Sequence, residues 1–436
     1  MQYLPNILFA VVLILGVSFF VVNVRKLVRN IKLGKSVDRS DNSSLRWKNM
    51  IKIALGQSKM VRRPISGILH VIVYVGFIII NIEVLEIVID GLIGTHRLFQ
   101  GYLGIQFYGV LIGAFEILAL LVFISVIVFW IRRNVIKIKR FLNKEMKGWP
   151  KNDGNFILYF EMVLMTLFLV MNAADTSFQE AGVGNIISQY ISPIFNGFDA
   201  TTIHLIERSA WWLHIVGILV FLNYLYYSKH LHILLAFPNT YYANLNPKGQ
   251  FDNLSSVTNE VKLMLDPTAN PFAAPAEEDT EEVPEKFGAQ DVTDLNWVQL
   301  LNAYTCTECG RCTSVCPANQ TGKELSPRAI MMKTRDRVEE VGNNIDTNGK
   351  FVDDGKTLFD TIATEELWAC TSCNACVEEC PVNIDPLSII MDMRRYEVME
   401  KSAAPQELNM MMTNIENNGA PWQYNQMDRL NWKDEE

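Results

Sequence analysis

Five long apolar stretches in the first half of this 436-residue chain restrict its fold more than any other feature. They cover residues 4–24, 65–89, 102–131, 156–171 and 210–235. A helix that spans a bilayer needs about 20 apolar residues. Because lipid offers no water to the backbone, such a segment must satisfy its own hydrogen bonds. We therefore predict a bundle of five transmembrane helices over residues 1–237, in which the fourth stretch is the shortest.

The charges between these stretches predict an orientation. Residues 25–63 and 132–151 contain twelve and eight Lys or Arg residues, whereas the other two connections contain only Arg97 and Arg208. Basic connections stay on the cytoplasmic side of a membrane. The N-terminus is therefore expected outside, and the chain after the fifth stretch is expected in the cytoplasm. The first stretch has no basic start and no small-residue cleavage site, so it does not resemble a cleaved signal peptide.

All eight cysteines lie in two copies of the pattern C-x2-C-x2-C-x3-C-P. This is the spacing of two-cluster ferredoxins, in which three close thiolates bind one cubane and the fourth binds the other. We assign the first [4Fe–4S] cluster to Cys306, Cys309, Cys312 and Cys380. We assign the second cluster to Cys370, Cys373, Cys376 and Cys316. Zinc sites and disulfide frameworks use other spacings and settings.

The polar part of the chain is divided by composition. Residues 238–294 are expected to form a linker, since their centre at 267–284 is rich in Pro, Ala and Glu. Residues 295–401 are expected to form an α-helical, two-cluster ferredoxin-like domain in the cytoplasm. Residues 402–436 form a polar tail that is expected to dock a partner. The net charge of −8 comes mostly from this half and indicates no nucleic-acid partner.

Three histidines near or within the apolar stretches are candidate haem ligands, because a histidine inside a membrane is costly and usually functional. His70 and His232 lie at similar depth near the cytoplasmic side and are expected to share one haem b. His214 lies 18 residues before His232, which is five turns or about 27 Å along a continuous helix. It suits a second haem near the outer face. His230 would point about 200° away from His232. A hydrogen-bonded core histidine is the alternative for each.

Glu116 lies near the middle of the third stretch. An intramembrane carboxyl group is a candidate for proton transfer or quinone binding. The alternative is a neutral carboxylic acid that is hydrogen-bonded to a neighbouring helix.

The membrane part resembles the cytochrome b subunits of respiratory nitrate reductase and of membrane heterodisulfide reductase. The matching residues are Arg63-Pro64, Leu69-His70, Leu213-His214 and Ser228-Lys229-His230-Leu231-His232. The resemblance implies that His70 and His232 bind the cytoplasmic haem and that His214 serves an outer haem. Ile80 and Asn81 stand where the family has the partner of His214. Either His96 or His204 replaces it, or the outer site lacks haem and His214 contacts quinone.

The polar half resembles membrane-bound Fe–S oxidoreductases related to heterodisulfide reductase, including electron-transfer-flavoprotein:menaquinone oxidoreductases. The matching tail residues are Asn417, Gly419, Pro421, Arg429 and Trp432. Family members usually continue into cysteine-rich CCG domains, which this chain lacks. The resemblance thus implies a cytoplasmic redox partner on another chain, either a CCG-domain Fe–S protein or an electron-transfer flavoprotein.

Together these features predict a subunit of a quinone-linked oxidoreductase in the bacterial inner membrane. It would relay electrons between a cytoplasmic partner and menaquinone or ubiquinone, through two [4Fe–4S] clusters and one haem b, or two. Reduction of menaquinone is the favoured direction. One alternative is a quinol-oxidising subunit that feeds a disulfide reductase. Another is a membrane-anchored ferredoxin that acts in oxidase assembly and needs no haem.

Overall fold

The structure is a computed structural model and describes residues 3–247, 249–268 and 286–434. Over these residues the regular secondary structure is helical, without a strand, and one isolated bridge joins Lys35 to Asn296. The predicted all-α fold is confirmed.

The first half contains ten α-helices. They are α1 (Leu4–Ile31), α2 (Ser43–Met50), α3 (Pro64–Ile93), α4 (Leu98–Leu103), α5 (Ile105–Asn134), α6 (Trp149–Ala174), α7 (Thr176–Ala181), α8 (Ser188–Ile191), α9 (Ala200–Tyr224) and α10 (His232–Tyr241). Helices α1, α3, α5, α6 and α9 with its 3-10 extension to Tyr227 are 26 to 30 residues long and apolar enough to cross a membrane. The fourth of these is longer than its apolar stretch, because α6 continues to Ala174.

The five long helices pack side by side. Helix α6 lies between α5 and α9, α3 packs on α5, and α1 packs on α9 and α3. Ile112, Phe115 and Phe168 are fully buried where α5 and α6 meet. At Gly76 the backbone of α3 comes so close to α5 that an added Cβ would lie 2.5 Å from Val122 Cγ2. Many apolar side chains of α1 face outward, as a lipid-facing helix requires.

The chain bends sharply after α9, and this corrects one expectation. Two 3-10 turns, Leu225–Tyr227 and Lys229–Leu231, separate α9 from α10. The buried Asp153 of α6 holds this bend, because it accepts hydrogen bonds from Ser228 Oγ at 2.6 Å and from Lys229 N at 3.1 Å. His214 and His232 therefore do not lie on one straight helix, and the predicted five-turn spacing between them is wrong.

Nine α-helices lie in the described residues of the second half, 249–268 and 286–434. They are α11 (Ser255–Leu265), α12 (Trp297–Thr305), α13 (Arg311–Val315), α14 (Pro317–Gln320), α15 (Pro327–Asn348), α16 (Thr364–Trp368), α17 (Ala375–Glu379), α18 (Pro386–Met399) and α19 (Gln406–Asn418). Helices α12 and α18 both pack on the long α15. Leu300, Ile330 and Ile389 are fully buried between them. The two cysteine runs lie at the edge of this core.

The residues expected to form a linker are folded at both ends. Helix α10 continues to Tyr241, and Ala289 N donates to Asp392 O of α18 at 2.9 Å. Val292 is fully buried in the same core. The Pro-rich centre predicted at 267–284 falls almost entirely outside the described residues.

The end of α1 joins the two halves. Asn30 Nδ2 donates to Tyr304 Oη of α12 at 3.0 Å, and Arg29 donates to Gly342 O of α15 at 3.0 Å. Lys26 forms an ion pair with Asp346 at 2.9 Å. These contacts fix the second half at the end of the bundle where α1 finishes. They place the cysteine runs on the same side as the basic connections.

Candidate cofactor sites

The two cysteine runs fold in the same way. Each passes through left-handed residues into a short helix, α13 or α17, and these helices pack on each other. Glu308 and Ser372 have φ of 54° and 56° at matching positions, and Gly310 and Asn374 have φ of 71° and 62°. At Gly310 a side chain would also collide with the Arg328 guanidinium. The repeat in the sequence is thus a repeat in the backbone.

The first set of predicted ligands surrounds one cavity. Its lining includes Cys306, Cys309 and Cys312 of the first run and Cys380 of the second, together with Cys376 of the second set. The pKa of Cys306 is raised to about 12 and that of Cys380 to about 11, mainly by burial and in part by the charge of the nearby Cys309. A bound cluster would supply the positive charge that keeps these cysteines as thiolate ligands.

The second set has the complementary arrangement. Burial raises the pKa of Cys370, and the nearby Cys316 and Cys373 thiols raise it further. Cys316 has the same effect on Cys376. The structure thus groups each remote cysteine with the other run. All eight cysteines are free.

Within the described parts of the chain, no three Cys, His, Asp or Glu side chains are arranged to hold a single metal ion. A cubane spreads its ligands over separate corners, so the two cysteine sets fit [4Fe–4S] clusters. The assignment of each cysteine to a cluster remains a prediction.

His70 of α3 and His232 of α10 face each other. Their ring centres are 6.3 Å apart, with 40° between the planes. Two imidazoles on opposite sides of one iron, each bonded at roughly 2 Å, place their ring centres about 6 Å apart. His232 Nδ1 lies 3.1 Å from the backbone oxygen of Lys229, which only accepts, so Nδ1 donates and Nε2 is left for a ligand.

His70 Nδ1 is buried without a hydrogen-bond partner. A core histidine normally has its polar atoms satisfied. The alternative of an ordinary hydrogen-bonded core residue therefore explains His70 poorly. The pair fits two axial ligands of one haem.

The other histidines do not complete a second pair. His214 is buried, its ring lies 6.0 Å from that of Phe168, and its Nδ1 has no partner. His96 binds Asp175 at 3.1 Å, and His204 is 74% exposed beside Glu207. His230 lies 3.9 Å from Glu161.

Asn81 is exposed and donates to Phe77 O within its own helix. The structure therefore does not bring His96, His204 or Asn81 to His214. An outer haem ligated by His214 remains a prediction.

Glu116 is fully buried and uses both carboxyl oxygens. Oε1 accepts from Asn172 Nδ2 at 3.1 Å, and Oε2 accepts from the backbone of Ile187 and Ser188 at 2.7 and 3.0 Å. These bonds tie α5 to α6 and to the turn before α8. The predicted role in proton transfer or quinone binding stays a prediction.

A buried ion pair links the cysteine runs to the histidine pair, and sequence reasoning missed it. Glu308 lies between Cys306 and Cys309 and binds Lys229 and Arg335, the latter at 2.9 Å. Burial opposes ionisation of Glu308, but the two cations outweigh it and lower its pKa. Glu308 and Lys229 are 79 residues apart. In the sequence, the one indication of this pair is that Glu308 and Lys229 carry opposite charges and that each lies beside candidate ligand residues.

A second network, at the other end of the bundle, was also missed. Arg97 donates to Asp175 at 2.8 Å and to Asn172 Oδ1 at 2.9 Å, and its guanidinium lies 4.1 Å from the Phe178 ring centre. Arg97 is the single basic residue in the connection between the second and third apolar stretches. This isolation was the signal that could have identified Arg97 as the partner of Asp175.

A family model described as a 4Fe–4S dicluster domain matches residues 305–384. Residues 305–384 therefore form a domain of the two-cluster iron–sulfur class. No solved structure matches the chain significantly.

Among curated proteins, the chain is 29% identical, over an alignment of 463 residues, to a probable iron–sulfur-binding oxidoreductase, FadF, of Bacillus subtilis. It is 24% identical over 457 residues to an EtfAB:quinone oxidoreductase of Syntrophomonas wolfei. Both matches cover 98% of this chain but only 61% and 59% of the relatives.

Shorter matches include a probable membrane-anchored ferredoxin of Chromohalobacter salexigens, which is 33% identical over an alignment of 174 residues. That match covers 35% of this chain and 25% of the ferredoxin. Heterodisulfide reductase subunits C and D of Methanosarcina species also match over part of their length. The predicted relation to iron–sulfur oxidoreductases of the heterodisulfide reductase kind is confirmed.

Proposed function

We propose that this chain is the membrane electron-transfer subunit of a quinone-linked oxidoreductase. Two [4Fe–4S] clusters and one haem b would connect a cytoplasmic redox partner with menaquinone or ubiquinone, most simply in the direction of menaquinone reduction. Similarity to an EtfAB:quinone oxidoreductase over 98% of the chain supports this class of reaction. An electron-transfer flavoprotein or a CCG-domain Fe–S protein is the proposed partner.

The observation that carries the proposal is the facing pair His70 and His232, with ring centres 6.3 Å apart. A membrane-anchored ferredoxin has no need for two imidazoles at that spacing. These residues would hold the haem, which would supply a one-electron centre inside the membrane. The chain's own contribution is to orient the rings, through the Lys229 carbonyl for His232, and to shield them from water.

The proposed location is the bacterial inner membrane, with the N-terminus outside and the cluster-binding half in the cytoplasm. The five apolar helices support a membrane protein. The basic connections support the orientation, because the cluster-binding half contacts them. Arg311 donates to the backbone oxygens of Lys59 and Met60 at 3.1 and 3.2 Å.

The test is haem content. We expect the purified protein to show a b-type absorbance spectrum, and His70→Ala and His232→Ala each to abolish it while retaining iron–sulfur absorbance. His204→Ala is the matched control, since His204 is 74% exposed, and it should bind a full complement. Full haem content in the His70→Ala protein would contradict the proposed ligand pair.

Two other functions remain to be separated from this one. The match to a probable membrane-anchored ferredoxin favours a second candidate, a membrane-anchored ferredoxin. We would expect such a protein to act in oxidase assembly and to need no haem. A purified wild-type protein with two clusters and no haem would select it. A quinol-oxidising subunit of a disulfide reductase would bind haem, but its haem would be reduced by quinol faster than by a reduced flavoprotein.

A further inference from the structure

We infer a fixed order for the two cubanes, in which one lies at the membrane end of the relay and the other lies at the partner end. The cubane at the membrane end lies beside His70 and His232 and is bound by Cys306, Cys309, Cys312 and Cys380. The cubane at the partner end is bound by Cys370, Cys373, Cys376 and Cys316. The inference rests on the proposed function for the relay itself. It adds which cubane adjoins the haem site and which face of the domain meets the redox partner. The cysteine spacing is symmetrical and gives no such order.

The first cysteine run is covered by the membrane half. Arg311, between Cys309 and Cys312, donates to backbone oxygens in the connection between α1 and α3. Arg328, packed against Gly310, donates to Arg140 O at 2.8 Å in the connection between α5 and α6. A protein partner has no access to this run from the membrane side.

One residue, Lys229, contacts both the first cysteine run and the histidine pair. Lys229 binds Glu308 through its side chain, and its backbone oxygen accepts from His232 Nδ1. The side chains of Glu308 and Lys229 are only 3% and 9% exposed, so this contact is shielded from water. The first cubane site and the proposed haem site are therefore neighbours.

The second cysteine run faces outward. Cys373 is the only one of the eight cysteines that is exposed, and the neighbouring Thr371 is exposed as well. Arg394 holds this run from within its own half, since it donates to the backbone oxygens of Cys370 and Leu367, both at 2.6 Å. A redox protein can approach the cubane at Cys373 more closely than it can approach the other.

Contacts of α17 agree with this order. Arg63, at the start of α3, forms an ion pair with Glu379 at 2.6 Å. Glu379 is the residue before Cys380, the one cysteine of the second run that is assigned to the first cubane. The membrane half therefore contacts the second run at its end, away from Cys373.

Charge changes beside each run test the order. The full-length protein would be titrated potentiometrically, with the cubanes followed by EPR and the haem by absorbance. A nearby charge tunes the potential of such centres. Glu308→Gln removes a negative charge between the first run and His232, so it should raise the potentials of one cubane and of the haem. Arg394→Gln, the matched control, should lower the potential of the other cubane and leave the haem unchanged.

A haem that responds to Arg394→Gln and not to Glu308→Gln would overturn the order. If Glu308→Gln does not fold, Arg335→Gln replaces it, because it removes a positive partner of the same carboxylate. It should lower the potentials that Glu308→Gln would raise. A haem unaffected by either change would also contradict the inference.

A second measurement uses the cubanes alone. A water-soluble dysprosium chelate should broaden and relax the EPR signal of the cubane that responds to Arg394→Gln more strongly than the other signal. Equal or reversed relaxation would contradict the assignment of the outward cubane. If the protein binds no haem, the proposed function fails, but this comparison still decides which cubane faces solvent.

Discussion

Glu116 illustrates how an intramembrane carboxylate can serve the fold. Both of its oxygens accept bonds, and two of the three donors are the backbone N–H groups of Ile187 and Ser188. A carboxylate that accepts such bonds is stabilised in its place. The sequence located this residue in the third apolar stretch. It could not show the donors, because they come from 56 to 72 residues further along the chain.

We predict that Glu116→Gln lowers the stability of the protein by about 1–3 kcal/mol, because the new NH2 group would face the Ile187 and Ser188 N–H donors. Thermal unfolding in detergent measures the loss. Glu180→Gln, on an exposed position, should melt like the wild type. A Glu116→Gln protein that keeps its melting temperature but no longer reduces quinone would assign the residue to proton transfer.

Candidate ligand residues can be named where a local pattern determines them, and their roles as ligands stay predictions. The cysteine spacing alone gave the two cross-paired sets that the fold brings together. His70 and His232 were predicted as a pair from depth and resemblance, and their rings do face each other. Lys229 and Glu308 were not predictable, because an ion pair between distant segments exists only after both halves have packed.

Among the elements, α9 was misjudged because hydropathy does not record a bend. The apolar sequence continues almost unbroken from α9 into α10, so it favoured one helix to residue 235. The bend depends on Asp153, a buried acceptor on another helix that collects the Tyr224, Ser228 and Lys229 donors. A single tertiary contact of this kind overrides a local preference.

The junction of α1 and α15 depends on Gly342. A Cβ there would lie 2.5 Å from Asn30 Nδ2, and Asn30 is held by Tyr304. We predict that Gly342→Ala destabilises the junction by about 1–3 kcal/mol, as overpacking does elsewhere. Limited proteolysis should then release the cluster-binding half sooner. Gly101→Ala, where a Cβ meets nothing within 4 Å, is the control. An unchanged cleavage rate for Gly342→Ala would show that the helices can shift apart at little cost.

For the whole molecule, composition was sufficient for the class of fold and insufficient for its assembly. Apolar length predicted five spanning helices, and the cysteine runs predicted a two-cluster domain. The way the halves meet was not predictable, since it rests on scattered polar contacts such as Arg29 with Gly342 and Arg328 with Glu145. The basic connections were read as orientation signals, yet several of their residues also bind the cluster-binding half.

The bend after α9 has a consequence for biogenesis. His70 is in place once α3 has inserted, but His232 follows a turn whose Lys229 is held by Glu308 of the cluster-binding half. If His70 and His232 hold a haem as proposed, we therefore expect maturation in a set sequence: insertion of the helices, loading of the cubanes, and only then binding of haem. A Cys306→Ser protein should accumulate in the membrane with little haem, although both histidines are intact. Normal haem content in that variant, measured by pyridine haemochrome, would show that the two sites mature independently.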